Sequence, residues 1–310
     1  MKRFSSLRGA ALLTLAAFLW GIAFVAQSDA ASKLSCEVFI CCRFLLGAAV
    51  LLPVIAILDL RSGKGRGFLS RFADKTLVKS GLLCGAFLFS ASYLQQLSLQ
   101  LGTSSGKCGF LTATYMILVP LCGLFLGKRV GAVIWVAVGM GLGGMYLLCL
   151  TGTEGVAIGD LAVLGSAFLY TGHILAVDRV VDRVDCVRLS CLQFLTAGVL
   201  GGIVSLFTGL PSLAMLLDAS VSILYVGIFS SGVAYTLQIV GQKTCDAAIA
   251  PLLMSLESVF AALAGALLLQ ERMSTPQTIG CVLIFAAVTL TQLPPSLFSR
   301  RRAGIPPSNS

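Results

Sequence analysis

The sequence predicts an all-α integral membrane protein: ten transmembrane helices arranged as an inverted repeat of two five-helix halves. Three observations carry that prediction. The first is composition: of 310 residues, 57% are hydrophobic and only 11% charged, with a mean hydropathy of +0.95. A soluble domain carries about 25% charged residues, so this chain has too little polar surface to cover a water-soluble core. The second is the recurrence of nearly charge-free runs of about 20 residues, the length a membrane-spanning helix needs. The third is that several apolar phrases return later in the chain at a nearly fixed spacing.

Taken in order, the apolar runs lie near Gly9–Gln27, Val38–Leu58, Ser80–Leu99, Cys108–Gly127 and Val130–Leu150, then near Leu161–Val177, Leu189–Gly209, Ser220–Gly241, Ala247–Gln270 and Ile279–Leu293. They are continuous rather than alternating, which favours helices over barrel strands. The first follows the basic Met1–Arg8 segment, as a signal peptide would. It is longer than a signal core and holds the first copy of a repeated phrase, so it is expected to remain as the first helix. The second, fourth and ninth contain Pro53, Pro120 and Pro251, each able to remove an amide donor and bend its helix. The fifth contains "GMGLGG", Gly139 to Gly144, a small-xxx-small surface for close packing. It is read as packing against the tenth helix near Ala286 and Ala287, with a homodimer contact as the alternative. The eleven cysteines show no metal spacing and lie mostly in apolar runs, where they act as small packing residues.

Basic residues orient the helices. Lys2, Arg3, Arg8, Arg61, Lys64, Arg66, Arg71, Lys75, Lys79, Lys128, Arg129, Arg179, Arg183, Arg188, Lys243 and Arg300 to Arg302 all fall on one side of a ten-span chain. Only Lys33, Lys107 and Arg272 fall on the other, 18 against 3. The positive-inside rule then places both termini in the cytoplasm; the expected location of the multi-pass chain is the plasma (inner) membrane. The net charge of +9 is absorbed by this asymmetry, so nucleic acid is not an expected partner; the bilayer is.

The repeated phrases define the halves. "AFLWGIAF" (Ala17 to Phe24) returns as "AFLYTGHI" (Ala167 to Ile174), and "CEVFICCRFL" (Cys36 to Leu45) as "CVRLSCLQFL" (Cys186 to Leu195), both 150 positions on. Leu94-Gln95 returns as Leu237-Gln238, and "LGKR" (Leu126 to Arg129) as "LQER" (Leu269 to Arg272), now 143 positions on. The shorter loop after the seventh span accounts for the seven lost residues. Residues 1–150 and 151–293 are the two repeats, and residues 294–310 form a polar cytoplasmic tail. Five helices is an odd number, so the second half enters the membrane with the opposite orientation. Two such halves support two near-equivalent states, each open to one side, with substrate held near mid-depth between them.

The chain resembles the drug/metabolite transporter superfamily, in particular the EamA-type ten-helix transporters. The resemblance rests on "LWGIAFVAQ" (Leu19 to Gln27), "GFLTATYMILVPLCGLFLGKR" (Gly109 to Arg129), "SSGVAYTLQIVGQK" (Ser230 to Lys243) and "SLESVFAALAGALLLQER" (Ser255 to Arg272). In many members the glutamate of the last motif precedes a proline; here Glu257 precedes Ser258. The resemblance implies export or exchange of small metabolites, often amino acids or related compounds.

An ionisable group inside a bilayer costs about 2.5–3.5 kcal/mol on insertion scales, so each one demands a reason. Glu257 lies near the middle of the ninth span, where it is either a proton-coupling carboxylate, a ligand for a cationic group, or a structural group facing the bundle. Arg43, in the outer part of the second span, either snorkels to the headgroups or anchors a carboxylate, whether the cargo's or that of Glu257. The repeat aligns Arg43 with Gln193, Glu257 with Thr114 and Ala23 with His173. His173 is read as a hydrogen-bonded structural residue or a proton relay. Trp20 and Tyr170, aromatic in both copies, are expected to face a shared cavity. Tyr93, Gln95, Tyr115, Tyr235 and Gln238 are candidates to hydrogen-bond a small polar solute, or else serve as interface anchors and interhelical glue.

Together these readings point to a secondary carrier with a small-molecule substrate. No Walker-type loop appears, so a proton or counter-substrate is expected to supply the energy, with no cofactor or metal. One histidine and one deep carboxylate do not make an enzyme's constellation. A channel or a structural membrane subunit is the remaining alternative.

Overall fold

The computed structural model describes residues 2–62, 71–103, 105–127, 130–149, 157–268 and 274–293. The tail from residue 294, Lys64, Arg66, Lys128, Arg129 and Arg272 lie outside the described residues. Every regular element among those described is a helix, and no strand occurs. In chain order they are α1 (Lys2–Ala31), α2 (Cys36–Ser62), α3 (Lys75–Gln100), α4 (Ser105–Thr112), α5 (Tyr115–Phe125), α6 (Ala132–Cys149), α7 (Ile158–Val180), α8 (Cys186–Thr208), α9 (Leu213–Asp218) and α10 (Ser220–Tyr225). A π-helix (Val226–Tyr235) follows, then α11 (Thr236–Gln242), α12 (Ala250–Met254), α13 (Leu256–Leu268) and α14 (Thr275–Gln292).

Among the described residues seven helical stretches are long and apolar enough to cross a membrane: Leu7–Ala31, Cys36–Arg61, Lys75–Gln100, Lys107–Phe125, Ile158–Val180, Cys186–Thr208 and Ser220–Gln242. Three shorter apolar helices, Ala132–Leu147, Ala250–Ala264 and Thr275–Thr291, complete the bundle. The outward faces are apolar: Phe207 is 86% exposed, Val221 78% and Phe168 63%. Such a surface in water would be an interaction or aggregation site; on a multi-pass bundle it faces lipid chains. The chain is therefore an integral, multi-pass membrane protein.

Side-chain caps fix several helix starts. Asp74 accepts from the Leu77 amide at 2.8 Å to open α3, and Asp185 accepts from the Arg188 amide at 2.9 Å to open α8. Ser274 and Gln277 close a capping box at α14. Each satisfies amides that a helix start leaves without partners. Pro251 sits in the first turn of α12, where its missing N–H costs nothing. It initiates a helix there rather than bending one, while Pro53 and Pro120 are internal to α2 and α5.

Packing is helix on helix throughout. The main pairs are α6 with α14, α2 with α8, α3 with both α7 and α8, and α1 with α13, α11 and the π-helix. The "GMGLGG" surface of α6 does meet α14: a Cβ at Gly144 would lie 2.7 Å from the Gly280 carbonyl and 2.9 Å from Ile284. Two other close approaches set the site. A Cβ at Gly21 would lie 2.6 Å from the Glu257 carbonyl, so α1 lies directly on the backbone of α13. A Cβ at Gly47 would lie 3.0 Å from the Ser231 Cβ and 3.2 Å from the Gly227 carbonyl, so α2 lies on the π-helix. Phe44 and Phe194 stack between α2 and α8 with centroids 5.8 Å apart.

Candidate functional site

The helices line a pocket whose empty space is about 470 Å³, part of it open to solvent, formed by α1, α2, α3, α4, α5, α7, the π-helix, α11, α12 and α13. On α1 the lining residues are Trp20, Phe24 and Gln27, spaced as i, i+4 and i+7 on one helical face. The Gly21 contact presses this face toward Glu257, and the Gly47 contact brings Arg43, one turn earlier, against the π-helix.

Arg43 is 3% exposed and held by neutral partners. Its Nε donates to Ser231 Oγ at 3.1 Å, one terminal nitrogen to Gln27 Oε1 at 2.8 Å and the other to Ser230 Oγ at 3.2 Å. The guanidinium carbon lies 4.9 Å from the Phe44 ring centroid and 5.7 Å from that of Phe39. Adjacent serines reach one guanidinium because they sit in the π-helix, whose i→i+5 bonding widens the turn and recurs at functional sites. Among the described residues no carboxylate lies within ion-pair distance of Arg43. The charge is aimed and desolvated, but not neutralised.

Glu257, 5% exposed, accepts from the Tyr115 hydroxyl at 3.3 Å. It does not pair with Arg43, so the direct ion pair weighed from the sequence is not formed. The two charges face the same cavity from different walls.

Between them runs a hydroxyl and amide network. Tyr170 Oη donates to Gln95 Oε1 at 3.3 Å and lies 3.1 Å from Ser92 Oγ and 3.3 Å from Tyr235 Oη. Gln95 Nε2 donates to Thr112 Oγ1 at 3.0 Å. Trp20 Nε1 donates to the Ser230 carbonyl at 3.2 Å, and its ring meets that of Tyr235 edge-on at 4.8 Å.

Of the residues singled out in the sequence, Trp20, Arg43, Gln95, Tyr115, Tyr170, Tyr235, Gln238 and Glu257 are brought together on this cavity. Tyr93, His173 and Gln193 are not among its lining. Tyr93 packs on Phe89. His173 bonds Gln193 at 2.9 Å behind the wall, with its ring edge-on to Tyr235. Sequence reasoning passed over Gln27, Ser230, Ser231 and Thr112. The i+7 spacing from Trp20 was the available signal for Gln27.

Other ion pairs tie the bundle at its ends. Lys107 and Asp160 form a buried pair at 2.7 Å. Asp59 binds Arg71 and Arg188, and Arg188 also reaches Asp185 at 3.3 Å. Among the described residues no group of histidines, cysteines and carboxylates is placed to hold a metal.

Two separated charges, Arg43 and Glu257, thus line one cavity inside an apolar helical bundle. An uncharacterized transporter from Archaeoglobus fulgidus is 26% identical over 281 residues, covering 91% of this chain and 84% of that protein. A crystal structure of a protein 20% identical in sequence superposes with a TM-score of 0.77 over 96% of this chain and 99% of the other, a likeness of fold. The EamA-like transporter family matches the chain twice, over residues 7–150 and again over 157–293. A double match of that extent leaves only the short tail and a few residues elsewhere unaccounted for, and the chain belongs to the EamA-like transporter family.

Proposed function

We propose that this transporter is a ten-span secondary carrier, an exporter or exchanger. Its cargo is a small polar metabolite with an anionic group, an amino acid or related compound. It works by alternating access between two inverted halves, driven by a proton or a counter-substrate. The observation that carries the cargo reading is Arg43. A buried guanidinium fixed by three neutral acceptors, on the cavity lining and without a carboxylate partner among the described residues, suits an anion supplied by the cargo.

The two-half reading is supported by how the packing pairs exchange. The offsets 150 and 143 relate α1 to α7, α2 to α8, and α3 to the π-helix with α11. They also relate α4 and α5 to α12 and α13, and α6 to α14. Under that exchange α3 on α7 becomes α11 on α1, α3 on α8 becomes the π-helix on α2, and α2–α8 and α6–α14 map onto themselves. The equivalent glycines Gly9 and Gly159 also play like parts, a Cβ at the first meeting Thr244 Oγ1 and one at the second Thr103 Oγ1, two positions from strict equivalence.

Glutamine-to-carbonyl bridges tie helices together toward either end of the bundle, and we assign them the role of gates. At one end Gln96 donates to the Gln27 carbonyl at 3.0 Å and Gln100 to that of Leu34 at 2.6 Å, tying α3 to α1 and the turn after it. At the other, Gln242 donates to the Ile174 carbonyl at 3.3 Å, tying α11 to α7. Neutral bridges of this kind are worth about 0.5–1.5 kcal/mol each, weak enough to break during a transport cycle. With the termini in the cytoplasm, the first is the outer gate and the second the inner.

Glu257 is assigned the proton-coupling role, facing the cavity from the wall opposite the anion site. The experiment that tests the cargo reading is thermal unfolding of the detergent-purified protein against a metabolite panel, beside Arg43→Gln. Ligand at about 100-fold its dissociation constant adds about 2.7 kcal/mol to stability. The expected result is a compound class that stabilises wild type and not the variant. A class that stabilises both equally contradicts the assignment.

A further inference from the structure

The hydrogen-bonding groups left open on the cavity divide by sign. On the donor side is Arg43: a guanidinium carries five N–H bonds, three are taken by Gln27, Ser230 and Ser231, and two remain. The Trp20 N–H and the Tyr115 O–H are committed to Ser230 and Glu257. On the acceptor side, Gln238 lines the cavity, and its buried Oε1 meets no donor among the described residues. Tyr235, one helical turn before it, is committed in a definite sense. The single proton of Tyr170 goes to Gln95 Oε1, so at the 3.3 Å Tyr170–Tyr235 contact Tyr235 is the donor. Its lone pairs are what it offers the cavity. Glu257 adds a carboxylate to the same lining.

A buried amide oxygen left without a donor costs about 1–3 kcal/mol, so a wall of this kind fits a ligand group that only donates. We propose that Gln238, with Tyr235 and Glu257, forms an acceptor subsite that recognises the N–H bonds of a primary ammonium on the cargo, and that Gln238 sets the selectivity for it. This rests on the reading of Arg43 as the anion site and extends it: the cargo is a small zwitterion whose cationic end is read by its hydrogen bonds as well as its charge. A trimethylated ammonium keeps the charge and has no N–H to give. Sites built to hydrogen-bond a substrate group reject analogues lacking it far more strongly than apolar pockets reject a change of size.

The test compares L-alanine, L-leucine and L-phenylalanine with their N,N,N-trimethyl and deaminated forms, binding being read by thermal stabilisation of the purified full chain. In wild type at least one amino acid should bind roughly 10-fold or more tightly than its trimethyl form. Gln238→Leu should bring that ratio to within about two-fold, whereas Gln238→Glu, which keeps the acceptor, should preserve it. Equal binding of the primary and trimethyl forms by wild type overturns the proposal, as does a ratio unchanged in Gln238→Leu. If Gln238→Leu does not fold, loss of the preference in Gln238→Glu overturns it equally. The deaminated acids separate this failure from that of the anion reading. If they still bind and lose binding in Arg43→Gln, the anion site stands without the amine subsite. If no amino acid and no deaminated acid binds, both fall.

Discussion

Arg43 shows how a single side chain can be aimed without being neutralised. Gln27, Ser230 and Ser231 fix its direction, Phe44 and Phe39 shield it, and no carboxylate cancels it. Arg43→Gln should therefore weaken cargo binding by about 10- to 100-fold, the worth of a charge-assisted hydrogen bond, while the empty protein unfolds at nearly the wild-type temperature. Early melting of the empty variant would mark Arg43 as a structural residue instead. Glu257→Gln preserves shape and the Tyr115 contact but removes the exchangeable proton; it should abolish pH-driven flux and leave the fold intact. Flux unchanged from wild type would remove Glu257 from proton coupling.

The sequence located the two charges because bilayer cost makes any buried charge conspicuous, and it located Trp20 and Tyr170 because the repeat kept an aromatic there. It did not show facing. Hydropathy gives depth along a span but not the direction a side chain points. Tyr93, His173 and Gln193 were thus named with the others and lie off the cavity, while Gln27, at the end of an apolar run where polar residues are ordinary, was passed over.

Among the helices, the irregular stretches matter most, and they were the least visible in the sequence. The apolar runs marked where helices lie, but a change from α to π bonding leaves composition untouched, so the π-helix from Val226 to Tyr235 had no signature. Nor did the breaks between α4 and α5 and between α12 and α13. The glycines that hold these irregular segments against their neighbours are open to direct test. At Gly21 a side chain would strike the Glu257 carbonyl at 2.6 Å and the Ala261 amide at 2.8 Å, backbone atoms that cannot rotate away. Gly21→Val should cost about 1–3 kcal/mol of stability and displace Glu257, detectable as a lower melting temperature together with impaired transport. A variant as stable and active as wild type would show that α1 does not seat on α13 in this way.

For the whole molecule, the proposed two-half carrier with glutamine bridges as its gates makes a mechanical prediction. Breaking one gate should favour the state open on that side. With a single cysteine at Thr112 in a background without other accessible cysteines, Gln100→Ala should raise labelling by a membrane-impermeant thiol reagent from outside, and Gln242→Ala should lower it. Equal labelling in all three proteins would mean that these bridges do not govern access.

Counterflow in proteoliposomes puts the carrier mechanism itself to the test. Vesicles preloaded with the amino acid that best stabilises the purified protein are diluted into a trace of the same compound carrying radiolabel. An alternating-access carrier that binds its cargo through Arg43 predicts transient, saturable accumulation of label by wild type and none by Arg43→Gln. Label that equilibrates without saturation, or that accumulates equally in the variant, would contradict it.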